Sequence, residues 1–265
     1  MLRVGAAIVL VMALAALIGP AISPFDPARQ ELALRLTAPT LSHPFGLDEL
    51  GRDILARVLA GGRISFFVAL VVVSVSAVIG TLAGAIAGYF GGAVDDVISR
   101  VTDTLMAFPG ILLAIALVAV LGPSLGNVLF ALTIIGWVGY ARVVRGQVLR
   151  AREFEYVRAA QALGARTSRV LLRHIIPTAL PAVVVQATLG MAGAIIGEAA
   201  LSFLGLGVQP PTPSWGTMLN GGRAHLLDAP HLTVFPGLAI ALLVLGFNFR
   251  GDGLRDFADP KGRQA

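Results

Sequence analysis

Apolar and polar positions follow one another along this chain in blocks, and the blocks predict helices. Val4 to Ile22 carries no charge and, at about 1.5 Å of rise per residue, is long enough to cross a bilayer. A cleaved leader, with Arg3 as its basic start and Ala21-Ile22-Ser23 at the cut, is the alternative for that stretch. Ile64 to Val94 is a second uncharged run, in which Gly80, Gly84 and Gly88 recur at fours, the spacing that lets helix backbones approach in lipid. Thr104 to Ala141 is too long for one helix, and Gly122-Pro123-Ser124-Leu125-Gly126-Asn127 divides it in two at a tight turn. Ile175 to Gly197 and Leu232 to Phe249 complete six predicted spans.

The polar blocks between them differ in kind. Ser23 to Arg63 is charge-balanced, and Pro24, Pro27, Pro39 and Pro44 predict irregular chain in its first half. Glu49 to Ala60 reads as a helix on the membrane surface, with Leu50, Ile54, Leu55, Val58 and Leu59 on its apolar face and Gly61-Gly62 as its end. Glu49 and Asp53, like-charged and four apart, read as an exposed face. Asp95, Asp96, Arg100 and Asp103 mark a short loop, with Asp103 capping or anchoring the start of the third span. Leu201 to Pro213 is rich in Gly and Pro and predicts an irregular or re-entrant outer loop reaching to His231. Three regions follow: 1–63, a first span with an outer segment; 64–250, a core of five spans; and 251–265, a polar tail.

Arg150 to Pro177 is the one long polar segment set between strongly apolar ones. Glu155, Arg158 and Gln161 recur at threes and form a polar stripe, while Phe154, Val157, Ala160 and Leu163 form another face. Gly164 reads as a turn, Thr167 or Ser168 as the cap of a second short helix, and Pro177 as its stop. A loop that only fixed topology would need no apolar face, joint or stop, so the pattern reads as a docking element for a cytoplasmic partner.

Composition agrees with a membrane protein. Hydrophobic residues make up 56%, charged residues 13%, and mean hydropathy is +0.83, against about 25% charged in soluble domains. The absence of cysteine excludes disulfides and thiolate chemistry. Lys261 is the only lysine and no G-x-x-x-x-G-K-[ST] precedes it, so the chain has no ordinary P-loop. With the amino terminus inside, the cytoplasm receives Arg3, Arg100, the eight arginines from Arg142 to Arg173 and the four basic residues of the tail, and the outside receives six. That excess puts both termini in the cytoplasm.

Few side chains offer chemistry. Glu198, the acidic residue embedded near a span, is either a pathway group or a cap at the outer interface. Asn127, Gln186 and Met191 are candidates for lining a pathway, and packing explains them equally. Trp215 reads as an interface anchor or a docking residue. His43, His174, His225 and His231 lack metal-site spacing. A basic–aromatic platform for nucleic acid is also missing.

Glu155 to Gly164, EYVRAAQALG, followed by His174-Ile175-Ile176-Pro177, resembles the "EAA" loop of binding-protein-dependent ABC importer permeases, with Arg158 at the glutamate position and Ile176 at the leucine position. His43 to Asp53 (HPFGLDELGRD), Leu201 to Pro211 with Ser214-Trp215-Gly216, and Gly251 to Asp256 with Asp259-Pro260 resemble the second permease subunit of the dipeptide, oligopeptide and nickel importers. Leu47 stands where threonine is usual. The amino terminus is shorter than the family's, as a late start or a truncated gene model gives. The resemblance implies an all-α, six-span type I (MetI-like) permease in the cell membrane, paired with a second permease, two ABC ATPases and an extracytoplasmic solute-binding protein. It implies no cofactor or metal on this chain, ATP and Mg being held by the ATPases. Phe154, Glu155, Tyr156, Arg158, Ala159, Ala160, Gly164, His174 and Pro177 would couple to the ATPase, and Trp215 would face the binding protein. The cargo would be di- or oligopeptides, with glutathione-like peptides and nickel complexes as alternatives. A self-sufficient channel or carrier, and a membrane sensor, are the readings of other classes.

Overall fold

The computed structural model describes residues 1–258. The first apolar run folds as α1 (Leu2–Ile22), with Pro20 inside it. Proline has no N–H, so the carbonyl of Ala16, four residues back, loses its helical donor. Arg63 replaces it: Nε donates to the Ala16 carbonyl at 2.9 Å and Nη2 to that of Leu17 at 2.8 Å.

The segment from Glu49 to Asp53 is a turn, not the start of a surface helix. The Asp48 carboxylate accepts from the N–H groups of Leu50 and Arg52 and from Arg52 Nε, which holds the chain bent around Gly51. Asp53 is buried, bonded to His43 Nδ1 at 2.9 Å and accepting from the Ala56 N–H at 2.7 Å as an N-cap. From there α2 (Ile54–Phe90) runs 37 residues without a break. Gly61 and Gly62 do not end it because the Trp215 ring and Ala16 lie against the surface they leave bare. Packing outweighs the roughly 1 kcal/mol that each glycine costs a helix.

Gly91 and Gly92 turn the chain into α3 (Gly92–Ala107). Pro109 forces Phe108 into an extended conformation, and α4 (Gly110–Leu121) leaves at 87° to α3. The third span is therefore a broken one. Ser124 then caps α5 (Leu125–Ala151) by accepting from the Asn127 N–H at 3.1 Å. The glycine stripe is used as expected: a Cβ at Gly80, Gly84 or Gly88 would collide with the backbone or Cβ atoms of Trp137 to Val148 on α5.

After α5 come the short helices α6 (Glu155–Ala162) and α7 (Thr167–Val170). A π turn over Leu171–Ile175 joins α7 to α8 (Ile176–Phe203), so that one helical path extends from Thr167 to Phe203. Pro177 does not stop the helix. It sits in the first turn of α8, where its missing N–H is tolerated, and the wider π turn precedes it. The loop between α8 and the last span holds a helix of its own, α9 (Trp215–Gly222), with a capping box between Ser214 and Thr217. The last helix, α10 (His231–Ala258), extends beyond the expected Phe249, because Gly251 and Gly253 pack closely on Leu189 and Leu2. Asp259, Pro260 and Lys261 lie outside the described residues.

Among the described residues five helical stretches are long and apolar enough to cross a membrane, and the α3–α4 pair makes six. One buried cluster joins Val68 and Val72 of α2, Tyr140, Val144 and Val148 of α5, Val157 of α6, Val170 and Ile175. The hairpin of α6 and α7 and the spans thus share a core.

Candidate functional site

Phe154 begins α6 and Gly164 ends it. The Gly164 N–H donates to Gln161 at 2.9 Å and that of Ala165 to Ala160 at 3.0 Å, a Schellman pair that requires the left-handed φ of +81° found at Gly164. Val157 is fully buried, Ala160 half-buried, and Glu155, Tyr156, Arg158 and Ala159 are exposed. Leu163, expected on the apolar face, is 88% exposed. It stands at the helix C-cap and points away from the core.

The hairpin is fastened at several points. The Tyr156 ring lies 5.6 Å from that of Phe154, tilted by 43°, and 6.4 Å from the His174 ring, and its hydroxyl reaches the His174 carbonyl at 3.5 Å. Gln161 donates to the Tyr89 hydroxyl at 3.2 Å, and Arg152 to the Gly88 carbonyl at 3.2 Å, both at the end of α2. Arg158, where the family pattern carries a glutamate, pairs with Glu153. That hydrogen bond and the cation's field hold the Glu153 carboxyl below its ordinary range. Neither Thr167 nor Ser168 caps α7, whose N-cap is Arg166. The result is a slim exposed helix joined at one end to α5 and at the other to the α7–α8 path.

A second feature lies among the spans. A cavity of about 520 Å³ opens between α2, α5 and α8, with Gly110 and Ile111 of α4 at its edge. Gln186 lines it, alone among the sequence's pathway candidates. Asn127 instead donates to the carbonyls of Leu121 and Gly122, closing the α4–α5 turn. Met191 packs between two apolar clusters. Glu198 is completely buried beneath the outer loop, accepting from Ser202 Oγ at 2.7 Å, and Ser202 in turn accepts from the Val208 N–H. It organises the Leu201–Trp215 loop and does not line the cavity. Trp215 is 2% exposed and donates its indole N–H to the Val58 carbonyl at 2.8 Å, so it braces α2 and has no outward face. Asp103 meets Arg142 at 3.2 Å on α5 instead of capping a span.

The sequence reading missed Tyr140 and Ser76 as cavity residues, because a tyrosine or serine inside an apolar run has no period of its own. It also missed the bidentate pair between Asp95 and Arg145, at 2.6 Å for Nη2, which ties α3 to α5. Among the described residues no group of three or more His, Cys, Asp or Glu gathers as a metal site would.

A polytopic helical protein with a broken third span and an exposed polar hairpin has the architecture of importer permeases. Comparison with solved structures agrees: the methionine ABC transporter MetNI in inward-facing form matches with a TM-score of 0.60 over 77% of this chain and 97% of that one, at 19% identity. At that identity the likeness concerns the fold alone. Residues 80–264 match the family described as the binding-protein-dependent transport system inner membrane component, and residues 1–39 match the N-terminal TM domain of oligopeptide transport permease C. The chain belongs to the first of these families, and it is a multi-pass membrane protein. Its relatives include the dipeptide transport system permease protein DppC of Alkalihalophilus pseudofirmus, 46% identical over 97% of this chain and 85% of the relative. The DppC protein of Bacillus subtilis is 42% identical over 98% and 82%. The glutathione transport system permease protein GsiD of Escherichia coli is 50% identical over 84% and 74%.

Proposed function

We propose that this chain is the non-catalytic permease subunit of an ATP-driven importer of di- and oligopeptides. It encloses half of the path, and a second, homologous permease encloses the other half. Two separate ATPases bind the Phe154–Gly164 hairpin from the cytoplasm, and an outer solute-binding protein delivers the cargo. Both termini lie in the cytoplasm of a cell whose inner or plasma membrane holds the complex, a reading supported by the distribution of Lys and Arg. The cargo reading rests on the dipeptide and glutathione permeases among the relatives, glutathione being itself a peptide.

The observation that carries the coupling reading is mechanical. The exposed α6 is continuous through three residues with α5, and Val157 and Val170 sit in the same buried cluster as Val68 and Tyr140. A push on α6 therefore moves the walls of the cavity, as a two-state element biased by a remote ligand must. Ala159 and Ala160 keep that helix narrow enough for a cleft, and Tyr156 with His174 fixes its angle.

The test is co-purification with the ATPase partners, together with ATP-driven uptake in proteoliposomes. Ala159→Trp is expected to reduce ATPase association at least ten-fold, a loss of about 1.4 kcal/mol or more, while the permease still folds. Association and uptake at the unsubstituted level would refute the assignment of the hairpin.

A further inference from the structure

The cavity between α2, α5 and α8 is built from absent side chains. Gly136 of α5 leaves room beside Ser76 Oγ of α2, Gly190 of α8 leaves room beside the Tyr140 hydroxyl, and Gly193 has nothing near its Cβ position. A row of glycines alone would be only a packing device. Here it surrounds a polar group without a partner: Tyr140 is 3% exposed, and its hydroxyl makes no hydrogen bond although it lines the cavity. A buried hydroxyl left in that state costs free energy unless something else satisfies it. Gln186, one helical turn from Gly190, also lines the cavity, its Nε2 beside Gly139, and its amide has no partner among the described residues. None of the lining residues is charged.

We propose that Tyr140 and Gln186 are specificity-determining residues that hold the cargo by its peptide bond. This rests on the peptide-importer reading above. An amide side chain both donates and accepts, as a peptide unit does, and a phenol can do either. Gln186 and Gly190 are four residues apart on α8, about 6 Å of rise, close to the two-residue repeat of roughly 6.6–7 Å at which an extended peptide presents groups on the same side. Two peptide groups of one short chain can therefore be met at once. With no charge in the cavity, the ends and the side-chain charges of the cargo are not read there. Sequence-tolerant passage follows, with the backbone amide as the feature every cargo shares.

The experiment uses the whole assembly, with both permeases, the ATPases and saturating loaded binding protein, in proteoliposomes. Uptake of labelled trialanine is compared with that of its analogue N-methylated at both peptide bonds, for the unsubstituted chain and for Gln186→Leu and Tyr140→Phe. Each variant is expected to lower the rate of trialanine uptake per ATP hydrolysed by roughly 2- to 10-fold, as loss of one hydrogen bond gives. Gln186→Leu is also expected to shrink the preference for trialanine over the methylated analogue, which a merely structural role would not change. Tyr140→Phe keeps the ring and its packing, so a folding defect is not expected to intervene. Unchanged rates and an unchanged preference in both variants would overturn the proposal while leaving the importer reading intact. Absence of peptide uptake by the unsubstituted assembly would remove both together.

Discussion

Pro20 and Arg63 form a pair that neither residue explains alone. The proline orphans the Ala16 carbonyl inside an apolar span, where water cannot supply a donor, and an arginine from α2 supplies it instead. Arg63→Leu is expected to destabilise the fold by about 1–3 kcal/mol, the cost of unsatisfied buried acceptors. With Pro20→Ala in place, the restored N–H at position 20 takes over, and the same arginine substitution should cost clearly less. Thermal unfolding in detergent of the two single variants and the double variant measures that coupling. Equal costs on both backgrounds would dismiss it. In the sequence, Pro20 announces an orphaned carbonyl but not its donor, because Arg63 is 43 positions away and reads as an outer-loop charge. Asp53 shows the same limit: two like charges four apart looked exposed, yet His43 and the Ala56 N–H bury one of them.

Elements were more legible than residues wherever one residue type had one use. Gly80, Gly84 and Gly88 predicted a close helix contact, and α5 is what they contact. Gly84→Leu should therefore force α2 and α5 apart, costing at least the 1–3 kcal/mol typical of overpacking and lowering the midpoint of thermal unfolding. Gly146, with nothing near its Cβ position, should accept alanine with little effect. The readings failed where the same residue has two uses. Gly61-Gly62 looked like a helix end and turned out to be a seat for Trp215. Pro177 looked like a stop and opens α8, while Phe108-Pro109, inside an uncharged run, passed unnoticed and bends the third span by 87°. Tertiary partners decide these cases, and a single sequence does not contain their positions.

For the molecule as a whole, the spans, their number and the exposed hairpin were readable because lipid and water impose the coarsest pattern on a chain. The cavity was not, since it is defined by residues from α2, α4, α5 and α8 that are close only after folding. The π turn over Leu171–Ile175 has a consequence for the entire assembly. It absorbs one surplus residue in a single wide turn between the hairpin and the α8 wall of the cavity, so that the windings on either side keep their rotational phase. Deleting Leu172, whose side chain is exposed, would restore ordinary α winding and leave hairpin and wall close to their present phase. Inserting one alanine after the exposed Val184, where the winding is already ordinary, would instead turn the hairpin by about 100° relative to that wall, the angle of a single residue in a 3.6-fold helix. The protein with the insertion should still assemble and still burn ATP, yet carry nothing, like an engine running with its clutch slipped. Uptake and hydrolysis measured side by side would reveal it, and unimpaired uptake would mean that the two ends need not keep in step.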